Sequence, residues 1–279
     1  MPRLFKVFFT MLVMLSLKAY ASILVSVAPY EFIVKKIVGD TQQVLLFVPS
    51  GASPHYFEPN AKQILAAGKA DIWFLIGESF ERNALPSMKQ HNPRLKNVDL
   101  RKNIPLIYES CRHCAEHGDP DPHIWMSLKE TQKQAKTIAD TLISIYPEQR
   151  ELYENNLSQL LQEIDSLDKN ITTMLAPYKG RAIMVSHPAY AYFCRDYDLI
   201  QLPIEFEGKD PSPKQLTKIL EEARAAKIHT IFIQAQHSSK GARLIANEIG
   251  AKIDIIDPLA ENYLENIQEI SKKFLNSFE

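Results

Sequence analysis

Between Pro147 and Ala176 the chain contains no glycine and no further proline. Within that stretch Leu157, Leu160, Leu161, Ile164, Leu167, Ile171 and Leu175 recur every three or four residues. This spacing predicts a single helix with one apolar stripe. Pro147 is suited to open it, because a helix leaves its first N–H groups unbonded anyway. About 30 residues at 1.5 Å each make a rod of about 45 Å, too long for an ordinary strand-to-strand crossover. Whatever precedes and follows it must therefore pack around one rigid element.

Short apolar runs alternate with helical patterns on both sides of this element, as parallel α/β folds require. Before it, strands are expected at 23–27, 43–48, 71–76 and, more weakly, 95–100. Helices are expected at 30–38, 60–69 and 128–146, the second opened by Asn60 and Gln63 in capping-box spacing. No helix is read between Gly77 and Leu95, and 101–122 reads as irregular. After the long helix, strands are expected at 182–185, 199–206, 230–234 and 253–256. They are interleaved with helices starting near Ala189, at Pro213, at Ser239 and at Tyr263. The expected architecture is α/β, two parallel-sheet α/β lobes joined by a single long bridging helix. Its parts are an N-terminal lobe at 22–146, the bridge at 147–176 and a C-terminal lobe at 177–279.

The first residues stand apart from this pattern. Arg3 and Lys6 precede an apolar run from Val7 to Leu17, and Ala19-Tyr20-Ala21 follows. A charged start, a short apolar core and an A-x-A site read as a cleaved secretory signal peptide at 1–21. The core is too short to span a bilayer. No cysteine follows it, which argues against a lipid anchor and suits a periplasm. The 279 residues carry a formal charge of −1, so no basic stripe suggests nucleic acid. A monomer is expected. Of the three cysteines, Cys111 and Cys114 could pair in an oxidising compartment, and Cys194 reads as a small buried hydrophobe.

Three histidines and one aspartate fall where strand-like runs end. They are His55 after the second run, His123 in Asp121-Pro122-His123-Ile124-Trp125, His187 after the run ending at Val185, and Asp257 after Ile256. Ligands of open α/β sheets bind at the carboxyl ends of strands. Three imidazoles and a carboxylate converging there would hold a borderline divalent metal. Each residue has a plainer alternative: a loop histidine can simply be exposed, and Asp257 before Pro258 can be an Asx turn. His237 is expected at the surface or behind the ligands. Glu58, Glu205, Glu207 and Ser186 are candidates for hydrogen-bonding the ligands' second nitrogens.

The order of motifs resembles the zinc/manganese-binding subunits of ABC metal-uptake systems, the cluster A-I (cluster 9) solute-binding proteins. The resemblance is carried by Val48-Pro49 to Glu58-Pro59 around His55, and by Ala70-Asp71 to Gly77 with Glu81. Asp121-Pro122-His123-Ile124-Trp125, Ser186-His187-Pro188-Ala189-Tyr190, Pro211-Ser212-Pro213 and Asp257-Pro258-Leu259 complete it. It implies two lobes on one rigid helix and metal ligands at His55, His123, His187 and Asp257. Manganese-type members tend to have glutamate at the third position, so His187 points to Zn2+, with Mn2+ and Fe2+ as alternatives. Water or another carboxylate serves as fourth ligand in some zinc members. The segment Cys111–His117 stands where zinc-type members often carry a longer histidine-rich loop. It reads either as a reduced metal-gathering loop or as an exposed loop stapled by its cysteines.

The implied role is that of a carrier rather than an enzyme, with a divalent metal as cargo and a membrane permease of an ABC transporter as partner. The rival from another class is a zinc hydrolase with three histidines and a bound water. It would need an open metal position and a general base, and no His-Glu-x-x-His motif is present.

Overall fold

The computed structural model describes residues 22–108, 120–205, 211–237 and 240–279. The export segment 1–21, the Cys111–His117 loop with its cysteine pair, and Glu207 lie outside the described residues.

Four strands of the first half, β1 (Ser22–Val25), β2 (Gln43–Leu46), β3 (Ile72–Leu75) and β4 (Lys96–Asp99), form a sheet in the order β2-β1-β3-β4. Four of the second half, β5 (Ala182–Val185), β6 (Ile200–Pro203), β7 (Thr230–Ile233) and β8 (Lys252–Ile255), repeat it as β6-β5-β7-β8. Every neighbouring pair is parallel. In each sheet the chain leaves the first strand toward one side and returns for the third on the other. That reversal opens a crevice at the carboxyl ends of β1 and β3, and again at those of β5 and β7.

The helices are α1 (Ala28–Val38), α2 (Ala61–Ala67), α3 (Ser79–His91), α4 (Leu128–Ile145), α5 (Arg150–Leu175), α6 (Ala191–Tyr197), α7 (Pro213–Ala225), α8 (Lys240–Ile249) and α9 (Tyr263–Asn276). The long rod of the sequence is α5, entered through a 3-10 turn at Pro147–Gln149 and left through another at Ala176–Tyr178. Asn60 and Gln63 form the expected capping box on α2. Helix α3 is an addition to the sequence reading. Its buried positions are Phe80, Glu81, Ala84 and Met88, and Pro86 lies inside it. A buried acid interrupts the apolar stripe and an internal proline argues against a helix, so periodicity alone did not disclose it.

The stripe of α5 buries Leu160, Ile164, Leu167, Ile171 and Leu175, each contributing about 1.5–3 kcal/mol when fully removed from water. It packs on α1 and α4 from the first half and on α9 from the second. The resulting core is continuous. It runs from Ile23 and Phe74 of the first sheet through Trp125, α4 and α5 to Val185, Phe193, Phe232 and Phe274 of the second half. Smaller apolar clusters cover the other face of each sheet.

Candidate metal centre

His55 sits in a 3-10 turn, Pro54–Tyr56, on the loop that leaves β2. Its Nδ1 lies 3.2 Å from Glu78 Oε2. Glu78 stands at the carboxyl end of β3, just after Gly77, whose φ of +99° carries the chain sharply off the strand. The turn is fixed from beneath by the buried carboxylate of Glu81. This carboxylate accepts from Ile76 N at 3.0 Å, from Gly77 N at 2.7 Å and from the Ser26 hydroxyl at the end of β1.

His123 is held by its own loop. Asp121 Oδ1 accepts from the His123 backbone N–H at 2.8 Å and from Nδ1 at 2.7 Å. A 3-10 turn, Ile124–Met126, follows and buries Trp125, whose Nε1 donates to Pro258 O at 2.8 Å. His187 follows β5 by two residues, its Nδ1 2.9 Å from Glu205 Oε2 at the end of β6.

The three Nδ1 atoms thus each face a carboxylate, and the three Nε2 atoms face one another. His55 Nε2 lies 3.2 Å from His123 Nε2 and 3.1 Å from His187 Nε2. An Nδ1–H given to a carboxylate leaves Nε2 with its lone pair. Three lone pairs directed at a common point cannot hydrogen-bond one another and instead call for a cation. Donors on a tetrahedral zinc, with bonds of about 2.0–2.1 Å, sit about 3.3 Å apart. The observed separations need only a slight spreading to reach that. The carboxylate behind each imidazole is the partner that orients a metal-bound histidine and raises its basicity.

The local electrostatics agree. Burial lowers the His55 pKa, but Glu78 and, farther off, Asp121 and Glu205 outweigh it, so the net shift is upward. Burial raises Glu78, and the neighbouring His55 overcomes this to hold it below the usual carboxylate range. His187 goes the other way. Burial first, then the charges of His55, His237 and His123, push it well below an ordinary histidine. His55 and His187, facing one centre, are thus pushed in opposite directions.

Of the four residues expected as ligands, His55, His123 and His187 come together. Asp257 lies outside this group. Its Oδ1 accepts from Leu259 N and from Gln236 Nε2, both at 2.9 Å. The first of these is the Asx turn that an aspartate before Pro258 allows. Among the residues considered as partners behind the ligands, Glu205 is paired with His187, while Glu58 is exposed. Glu78 and Asp121 were not foreseen in that role. Both stand in the same strand-end and loop positions as the histidines, and that placement was the available signal. His237 is not at the surface: its ring stacks on His187 with centroids 3.8 Å apart. Cys194 is buried and free, as expected.

The chain matches the family model described as "Zinc-uptake complex component A periplasmic" over residues 23–276. It is 34% identical to a Chlamydia muridarum protein provisionally named as metal-binding, over 90% of each chain. It is 32% identical to the high-affinity zinc uptake system protein ZnuA of Bacillus subtilis, covering 82% of this chain and 75% of that one. Among solved structures, a crystal structure of ZnuA superposes with a TM-score of 0.87 at 35% identity, covering 93% of this chain and 100% of the other.

Proposed function

The chain belongs to the zinc-uptake complex component A periplasmic family, and on that premise we propose that it is a carrier which captures a divalent metal, zinc foremost, and delivers it to the permease of an ABC uptake system. We assign His55, His123 and His187 as nitrogen ligands through Nε2. Asp257 completes the shell by giving up Gln236 while keeping its turn bond to Leu259. The observation that carries this reading is the convergence of three Nε2 atoms, with that of His55 3.2 and 3.1 Å from the other two, each imidazole backed by a carboxylate.

Three imidazoles suit zinc, whereas manganese draws on more oxygen. Four protein ligands leave no open position for an activated water, which disfavours the hydrolase alternative. Among the described residues no helix is long and apolar enough to cross a membrane. We read 22–146 and 177–279 as the two lobes and 147–176 as the bridge, working as an exported, unanchored monomer with no nucleic-acid partner.

The test is metal analysis of the purified protein beside His187→Ala. One zinc per wild-type chain and its loss in the variant is the expected result. Full retention of zinc by the variant would sink the assignment, and hydrolytic turnover that tracks metal content would overturn the carrier role.

A further inference from the structure

His237 is not one of the three converging ligands, yet its side chain is buried more completely than any of theirs. It follows β7 by four residues, and its backbone N–H donates to Gln234 O at 3.3 Å. The imidazole lies flat against His187, with centroids 3.8 Å apart and planes inclined by 21°. Nitrogen lone pairs lie in the plane of the ring, so two rings stacked in this way cannot aim them at one ion. His237 therefore offers the site a face and not a donor.

A face is what His187 needs. Glu205 Oε2 holds its Nδ1 at 2.9 Å, which restrains the ring along one edge. The torsion that turns an imidazole about its Cβ–Cγ bond has broad wells, so one edge contact leaves the ring free to rock. A second ring at van der Waals distance stops that rocking on its side. His123 is secured differently: Asp121 Oδ1 takes both its backbone N–H and its Nδ1, and the neighbouring ring of Trp125 is tilted by 59° at 5.3 Å. His55 stands away from His237, with centroids 6.1 Å apart. The flat contact thus serves His187. The polar contact of His237 is the lesser one, since its Nδ1 is 3.5 Å from the Glu205 oxygen that holds His187 at 2.9 Å.

We propose that His237 is a positioning residue for zinc capture: stacked on His187, it keeps Nε2 of that ligand aimed at the centre shared with His55 and His123. The role belongs to the flat face of the ring and not to its nitrogens. His187, Glu205 and His237 follow β5, β6 and β7 of the second sheet, so this restraint is built within one half of the chain. The proposal rests on the assignment of His187 as a ligand and adds the residue that orients it.

The test is competition titration of zinc against a chromophoric chelator. His237→Ala should weaken binding about 10–100-fold, the scale for losing a group that orients a metal ligand. His237→Phe keeps a flat ring without nitrogens and should stay close to the wild-type affinity. An unchanged affinity in His237→Ala overturns the proposal. So does a His237→Phe as weak as His237→Ala, because the nitrogens would then carry the role. If His237→Ala does not fold, His237→Asn, which keeps a polar head without a ring, takes its place. Weaker binding by His237→Asn than by His237→Phe supports the stacked face, and equal binding overturns it. A wild-type protein that binds no zinc would refute the carrier reading itself, which keeps the two failures apart.

Discussion

The hydroxyl of Tyr263, at the start of α9, donates to the backbone carbonyl of Trp125 at 2.5 Å. Trp125 lies two residues after His123 and in turn donates to Pro258 O, one residue after Asp257. The loop that presents a histidine from the first half is thereby stitched to the turn that presents the aspartate of the second.

Replacing Tyr263 by Phe removes that stitch and leaves the buried Trp125 carbonyl only the long 3.5 Å hydrogen bond from the Thr131 hydroxyl. The expected loss is about 1–3 kcal/mol, read as a lower urea midpoint at unchanged slope. Zinc affinity should fall only slightly, because no ligand or carboxylate partner is touched.

The three carboxylates behind the histidines set affinity without touching the ion. Glu78→Gln, Asp121→Asn and Glu205→Gln should each weaken zinc binding about 10–100-fold, measured by competition titration. An affinity unchanged in all three would mean that the paired geometry has no part in metal binding.

Acid should release the metal, and the sign follows from the imidazoles. His55 has its folded pKa raised above 6.5. Its contribution to the stability of the stripped protein is present below 6.5 and is lost as pH rises through the folded value. Glu78, held below 4.5, contributes above 4.5 and loses that contribution as pH falls through its folded value. His187, held well below 6.5, contributes above 6.5 and loses it as pH falls. Zinc competes with the proton on His55, so its affinity should climb with pH through the raised His55 value and flatten above it. Titration over a pH series checks this. An affinity that does not rise as pH climbs above 6.5 contradicts it.

Gly77→Ala should disturb the site from below. The backbone there has φ +99°, and an added Cβ would come within 2.3 Å of Arg101 Nη1. Strain at such a position costs on the order of 1–3 kcal/mol. Because Glu78 follows directly, thermal stability and zinc affinity should fall together, whereas Gly180→Ala, remote from the site, should leave affinity alone.

Asp257→Asn probes the fourth ligand. The amide can still accept from Leu259 N, so the turn survives while the anionic oxygen is lost. A fall in zinc affinity of about tenfold or more, smaller than that of His187→Ala, is expected on the ten-to-hundredfold scale of altered metal sites. An unchanged affinity would assign that position to solvent.

Much of the fold was legible because four-residue apolar runs ended at turns, and α5 was legible because its stripe carries no breaker. The strands extend one or two residues less than expected at several ends, as in 43–48 against Gln43–Leu46. Helix α3 escaped because Glu81 occupies a core position to hold the turn at Gly77. His55 and His187 obey one rule, a place on loops that leave strands, whereas His123 stands on its own loop between β4 and α4. Glu78 obeys the same rule, but an acid is so common in loops that only its 3.2 Å approach to His55 distinguishes it. Where Asp257 points was beyond the sequence, since the local Leu259 N and the distant Gln236 side chain hold the same oxygen together.

The continuous core through α4, α5 and α9 has a consequence for recognition. Opening the halves widely would pull Trp125 from Pro258 and Tyr263 and expose buried rings to water, so the loaded and empty forms are expected to keep nearly the same outline. What changes on loading is charge: a dication arrives among groups that otherwise compete for protons. A permease that must engage only full carriers therefore has little silhouette to measure. It has to sense the potential at the crevice mouth and the stiffness of the loops around it.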